Sequence, residues 1–194
     1  RDASAYRAAL VEIGLDVDGM VRLVNHLLML ANDGAPNDLR RLDLVSVAGE
    51  AVDSARAAPP GVVPTTSFAP DTPEVAGDAT LLAQLLGNLL DNAAHHGGGA
   101  PTHVSTWRSP EGGAVLCVSD EGPGIDEASL PRAAEPFFRT DSARTRAGRG
   151  GPTGSGLGLA IVKRIVEWHD ARWELNSAPG SGLVVTVRFP APLG

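Results

Sequence analysis

The chain has one cysteine, Cys117, and one lysine, Lys163. A single cysteine excludes an internal disulfide and fits a reducing compartment. Its place in an apolar, strand-like run marks it as a small core residue rather than a reactive thiol. Arginine stands almost everywhere else that lysine could, which reads as coding bias. There is no excess of positive charge: the net charge is −7 over 194 residues, so the electrostatic footprint of a nucleic-acid binder is missing. No apolar run approaches the roughly 18 residues of a membrane span. No signal peptide opens the chain. There is no initiator Met, and the sequence starts inside a helix-like pattern, as expected of a piece of a longer protein. GxxxxGK[ST] is absent, which excludes a P-loop. The main glycine run lacks the third glycine of a Rossmann turn and follows a loop rather than a strand. No internal repeat is visible.

What is present is an apolar fraction of 43%, normal for a globular protein. The length allows one domain plus an extra element. The first 32 residues read as one helix. Ala3, Tyr6, Leu10, Ile13, Val17, Met20, Val24, Leu27 and Ala31 fall at alternating steps of three and four, a heptad seam. Leu23, Leu28 and Leu30 widen it toward a bundle-type face. Asn32-Asp33-Gly34 with Pro36 stops it. Residues 37–41 read as a linker, 42–45 as a strand, and Ser46 as the cap of a helix to about Arg56. Ala58-Pro59-Pro60-Gly61 breaks the chain, and 62–68 is strand-like. Asp78 caps a leucine-rich helix over 79–96. Residues 102–107 and 114–119 form a hairpin. Residues 126–153 are polar, rich in Arg and Gly, and too long to be an idle connection. A helix over 157–169 and a hairpin of 173–176 with 183–189 complete the chain. Strands mixed with helices on one side suggest two layers.

Four segments carry the chemistry. Asn88-Leu89-Leu90-Asp91-Asn92 sets two amides on one helix face, since i and i+4 are neighbours. An amide carbonyl is a neutral ligand for a hard cation such as Mg²⁺. Asp120-Glu121-Gly122-Pro123-Gly124 places an acceptor for an exocyclic amine in a glycine-rich turn. Pro136-Phe137-Phe138-Arg139 follows. Gly154-Ser155-Gly156-Leu157-Gly158 opens a helix and offers bare N–H groups to phosphate. Adjacent His95 and His96 diverge by about a third of a turn, which argues against a zinc pair.

Over roughly residues 37–190 these segments resemble, in order, the N box, first glycine box, F box and second glycine box of the histidine-kinase catalytic domain. The resemblance implies an α+β fold, the two-layer α/β sandwich of the Bergerat ATP-binding type, preceded by one long N-terminal helix. It implies that residues 1–36 are the second helix of a dimerisation and phosphoacceptor domain, and that 37–194 form the ATP-binding domain. By position it assigns Asn92 to Mg²⁺ and makes Asn88 and Asn92 the catalytic amides. It assigns ATP contacts to Asn88, Asn92, His95, His96, Asp120, Gly122, Gly124, Ile125, Arg139, Thr153, Gly154, Ser155, Gly156, Leu157 and Gly158, with Asp120 reading the adenine amine. His95 departs from the family's usual basic residue. Arg144, Arg146 and Arg149 are further candidates for phosphate. Related gyrase-like and chaperone-like ATPases carry a water-activating glutamate where this chain has Asn88, and an amide cannot act as that base. The activity implied is transfer of the ATP γ-phosphoryl group to a protein histidine, then to a response-regulator aspartate. The alternative is a non-catalytic, ATP-responsive dimerisation switch. His26 is followed by Leu27 and Leu28, not by the acidic residue of a phosphoacceptor, and reads as a partly exposed helix residue. The implied partners are ATP, a response regulator, the parent's phosphoacceptor helix and a second copy of the chain. The implied setting is the cytoplasmic part of a membrane-bound sensor.

Overall fold

A computed structural model describes residues 3–32, 34–36, 38–57, 63–97, 99–139 and 155–191. The chain divides into two compact units, Arg1–Gly34 and Ala35–Gly194.

The first unit is helix α1, Ala3–Ala31. It ends where the Asn32 carboxamide oxygen takes the Gly34 N–H at 3.0 Å, a local bond that competes with another helical turn. The predicted seam residues Tyr6, Leu10, Ile13, Val17, Met20, Val24 and Leu27 are 40–68% exposed. His26, read above as partly exposed, is buried.

The second unit begins with β1, Arg40–Leu42, which pairs antiparallel with β3, Val75–Gly77. Three-residue strands are too short to show alternation, so β3 has no sequence signature. Helix α2 spans Leu44–Ala57 and buries Leu44, Ala48 and Val52, one residue per turn. Its cap is Asp43 rather than Ser46. The Asp43 carboxylate accepts the Val45 N–H at 3.0 Å and the Ser46 hydroxyl at 2.6 Å. An ionised acceptor outcompetes a hydroxyl there, and the Ser46 donor holds the Asp43 carboxyl below its ordinary range.

A second sheet has the order β2-β4-β5-β7-β6. Its strands are β2 Thr65–Phe68, β4 Thr102–Arg108, β5 Ala114–Asp120, β6 Arg172–Ser177 and β7 Leu183–Arg188. All pairs are antiparallel except β2 with β4. A parallel pair needs a crossover, and β3 with helix α3, Ala79–His96, provides it. Asp78 caps α3 as predicted, accepting Thr80 N–H at 2.8 Å and Leu81 N–H at 3.0 Å. Helix α4, Gly158–Trp168, and α2 both pack on α3, and the helices meet the sheet at β4, β5 and β6. The core lies between the layers, with Leu85, Leu86, Val104, Ile161, Ile165 and Val187 fully buried. This is the predicted two-layer α+β arrangement. A 3₁₀ turn, Leu130–Arg132, lies in the described part of the polar segment after β5. No helix among the described residues is long and apolar enough to cross a membrane.

Thr102 is out of place in this core. It is 1% exposed and its hydroxyl has no hydrogen-bond partner, where an apolar β-branched residue would fit. A buried hydroxyl without a partner costs about 1–3 kcal/mol. Thr102→Val keeps the shape and is expected to raise stability by about 1 kcal/mol, read as a higher denaturant midpoint at unchanged slope.

Candidate nucleotide site

Helix α3 turns its leucines to the sheet and leaves a half-buried edge that includes Gln84, Asn88, Asn92 and His96. Asn88 is fixed by its own helix: its Nδ2 donates to the Gln84 carbonyl at 3.0 Å. That bond orients Oδ1 outward, toward the start of α4. A Cβ built on Gly158 would lie 3.8 Å from Asn88 Oδ1. The asparagine segment and the second glycine segment therefore meet at this point. Asn92, one turn on, is half-buried as well. His95 is exposed and folds back, its Nδ1 at 2.7 Å from the Asp91 carbonyl.

The end of α3 touches the aspartate turn. A Cβ on Gly122 would fall 2.6 Å from Gly97 Cα and 2.7 Å from Asp120 Oδ1. Only glycine can pass there. Asp120 ends β5, half-buried, and its Oδ1 accepts the Gly122 N–H at 2.8 Å. Burial pushes its carboxyl above the ordinary value of 3.8, against the opposing pull of the Gly122 and Leu183 N–H groups. An exposed turn aspartate would show no such shift.

The turn is held from behind by the β6–β7 hairpin. Gly182 N–H donates to the Gly122 carbonyl at 2.9 Å, and Gly180 N–H to the Pro123 carbonyl at 2.7 Å. Ser177 Oγ takes the Ile125 N–H at 2.8 Å and donates to the Gly182 carbonyl. Gly124 and Gly182 have φ of +70°, and a Cβ on either would collide with a carbonyl oxygen. Pro179–Gly182 forms the turn of this hairpin. Its two glycines and Ser177 are part of the site's frame, which a glycine-rich hairpin turn does not by itself reveal in a sequence.

The F-box segment joins the second glycine segment. Phe137 N–H donates to the Gly156 carbonyl at 2.9 Å, with Phe137 at φ 64° and Gly156 at φ +72°. Phe138 lies under the Arg132 guanidinium, 4.5 Å from ring centre to Cζ. Arg139 is half-buried. Ser155 Oγ accepts the Leu157 N–H at 3.3 Å, and the Leu157 side chain is fully buried, so only its backbone faces the glycine run. Thr153, Gly154, Arg144, Arg146 and Arg149 lie outside the described residues.

Distant pieces of sequence thus converge on α3: an amide face, a half-buried carboxyl in a glycine turn, and a glycine run opening a helix. A family model described as histidine kinase-, DNA gyrase B- and HSP90-like ATPase matches residues 77–193. The chain belongs to this ATPase family. Among curated members it is 36% identical over 181 residues to the probable sensor histidine kinase TcrY of Mycobacterium tuberculosis, covering 92% of this chain and 37% of that one. It is 34% identical over 185 residues to the phosphate regulon sensor protein PhoR of Pseudomonas aeruginosa, covering 93% of this chain and 41% of that one. The chain therefore spans about two fifths of the length of these relatives. Among solved structures of the family, the histidine kinase domain of the E. coli osmosensor EnvZ superposes with a TM-score of 0.61 at 32% identity, over 83% of this chain and 94% of that one. The mycobacterial sensor histidine kinase MprB gives 0.65 at 28%, over 80% and 99%. Full-length ShkA in complex with AMPPNP gives 0.70 at 26%, over 96% and 38%.

The raised carboxyl of Asp120 makes a stability prediction. A group whose folded value lies above its unfolded one stabilises the fold fully below the unfolded value, here 3.8, and loses that contribution as pH rises through the folded value. At neutral pH the ionised Asp120 is a cost. Asp120→Asn is expected to raise the melting temperature at pH 7 and to leave it unchanged near pH 3. Thermal unfolding across that range checks this, and an Asn variant less stable than wild type at pH 7 would contradict it.

Proposed function

We propose that this chain is the ATP-binding catalytic region of a sensor histidine kinase, which transfers the γ-phosphoryl group of Mg-ATP to a protein histidine for relay to a response-regulator aspartate. The observation that carries the reading is Asn88. Its amide stands where α3 meets the start of α4, locked by Gln84. A carboxylate there could deprotonate water; an amide cannot. ATP bound beside it keeps its γ-phosphoryl group for another nucleophile. The kinase names of the relatives and the ATP analogue in the ShkA structure support the same reading.

In this proposal Asp120 accepts the adenine amine and His96 lines the base pocket. Asn92, with Asn88 beside it, offers neutral oxygen ligands to Mg²⁺, which binds largely through phosphates and few protein groups. The metal supplies charge neutralisation at the transferring phosphoryl group. The protein's share is positioning: the start of α4, with Gly156 and Gly158 bare of side chains, presents backbone N–H groups to the polyphosphate. His26 is followed by Leu27 and Leu28 rather than by an acidic residue, so in this proposal the acceptor lies on another segment of the parent protein. That parent is a membrane sensor whose cytoplasmic part includes this region.

Incubation with Mg-ATP and a separately made phosphoacceptor domain is expected to give acid-labile phosphate on that domain, while steady-state hydrolysis stays far below a typical enzyme turnover of about 10 s⁻¹. Asn92→Ala is expected to lose both transfer and the Mg²⁺-dependent part of ADP affinity, and to retain Mg²⁺-free affinity. Binding without any transfer would favour a nucleotide-responsive switch instead.

The exposed α1 seam also supports self-association as a partial coiled coil. Sedimentation is expected to show a concentration-dependent monomer–dimer equilibrium, shifted to monomer by Val17→Asp or Leu27→Asp. A strict monomer would remove the seam as an interface.

A further inference from the structure

His169 follows α4 and is 2% exposed, far along the helix from the glycine run. Its ring is engaged on both nitrogens. The Asp78 N–H points at Nε2 from 3.1 Å, so Nε2 carries a lone pair. The ring proton is therefore on Nδ1, 2.7 Å from the Ile165 carbonyl it serves. A neutral imidazole supplies a donor and an acceptor in fixed directions from one rigid plane. The ring also meets Phe189 edge-on at 6.5 Å. Room for it exists because residue 77 is glycine: a Cβ there would come within 3.1 Å of His169 Cδ2 and 3.2 Å of Nε2.

Asp78 is the cap of α3. Its carboxylate holds the first turn of that helix, and its own N–H is held by His169. The same two helices meet again where Gly158 faces Asn88. The two contacts are about ten residues apart on each helix, or about 15 Å at 1.5 Å per residue. The helices thus run antiparallel, fastened by His169 at one end. At the other end α4 begins at Gly158, beside Asn88, and α3 continues alone through Asn92 and His96.

We infer that His169 is a positioning residue for nucleotide binding: it pins the cap of α3 to the end of α4 and thereby sets the separation of the two helices where the nucleotide enters. This rests on the proposed nucleotide site. A small pivot error at Asp78 is carried along a stiff helix to the amide face, and misplacement by about 1 Å can cost up to 100-fold in a positioned site.

His169→Phe keeps the ring and its contact with Phe189 but has neither nitrogen. The variant is expected to remain folded by circular dichroism, to bind ADP about tenfold more weakly, and to shift the amide resonances of residues 88–96 more than those of the β2 edge. His169→Gln, which retains a donor and an acceptor, is expected to recover most of the affinity. In wild type, nitrogen-15 spectra of the ring are expected to show Nδ1 protonated and Nε2 bare. Wild-type affinity in a folded His169→Phe, unmoved resonances over 88–96, or a protonated Nε2 would overturn the inference. Should the phenylalanine variant not fold, the ring spectrum and the affinity of His169→Gln decide, a folded Gln variant with ADP affinity tenfold weaker counting against. Failure of wild type itself to bind ADP would instead overturn the nucleotide reading, with the resonance comparison still judging the pivot.

Discussion

Backbone passing backbone, with no side chain between, is the constraint on which the site depends. At Gly122, Gly124 and Gly182 three stretches of chain come so close that a single methyl group would collide with a main-chain or carboxylate atom. Two of these residues also hold positive φ, which side-chain-bearing residues enter at a cost of roughly 1–2 kcal/mol. The outcome is a turn with no slack. Asp120 is aimed by its Gly122 bond, Ile125 is held by Ser177, and the hairpin braces both. A carboxyl held this firmly can select one hydrogen-bond donor, because little reorganisation remains when a ligand arrives.

That rigidity sits beside a locally unfavourable choice. Asp120 is half out of water and its carboxyl is raised for that reason. Two backbone donors, the Gly122 and Leu183 N–H groups, offset only part of that burial. In the proposed site a donor on the nucleotide would meet this half-desolvated carboxyl, where a hydrogen bond is stronger than it would be in water. The long leucine face of α3 supplies the surrounding stability. Its caps are tied separately, by Asp78 at one end and by the Gly97 N–H to Ala93 at the other.

The parts written in local chemistry were legible in the sequence. The Asp78 cap, the leucine spacing of α3, the two hairpins and the helical period of α1 each depend on residues close together in the chain. The order of the four site segments was legible only as a resemblance, and the structure brings Asn88 to the start of α4 and Asp120 to the end of α3. Distant contacts were not legible. No spacing rule reveals that Gly97 admits Gly122, that Ser177 holds Ile125, or that His169 meets Asp78. Ser46 looked like a cap because serine often is one, and Asp43 displaced it by offering two charged oxygens. Three-residue strands such as β3 carry no periodicity at all, and Thr102 in a buried strand follows no pattern.

The order of strands sets the pace at which this unit assembles. Asp120 and Leu183 are neighbours in the sheet, yet the 3₁₀ turn, α4 and β6 all intervene along the chain. β2 likewise waits for β4 across β3 and α3. Pairings so remote must close large loops before they gain anything, which slows folding. Loop-closure entropy grows only logarithmically with length. The polar stretch between the F-box segment and α4 can therefore gain or lose residues at little thermodynamic cost. This stretch can change in length while the braced turn at Gly122, Gly124 and Gly182 stays as it is.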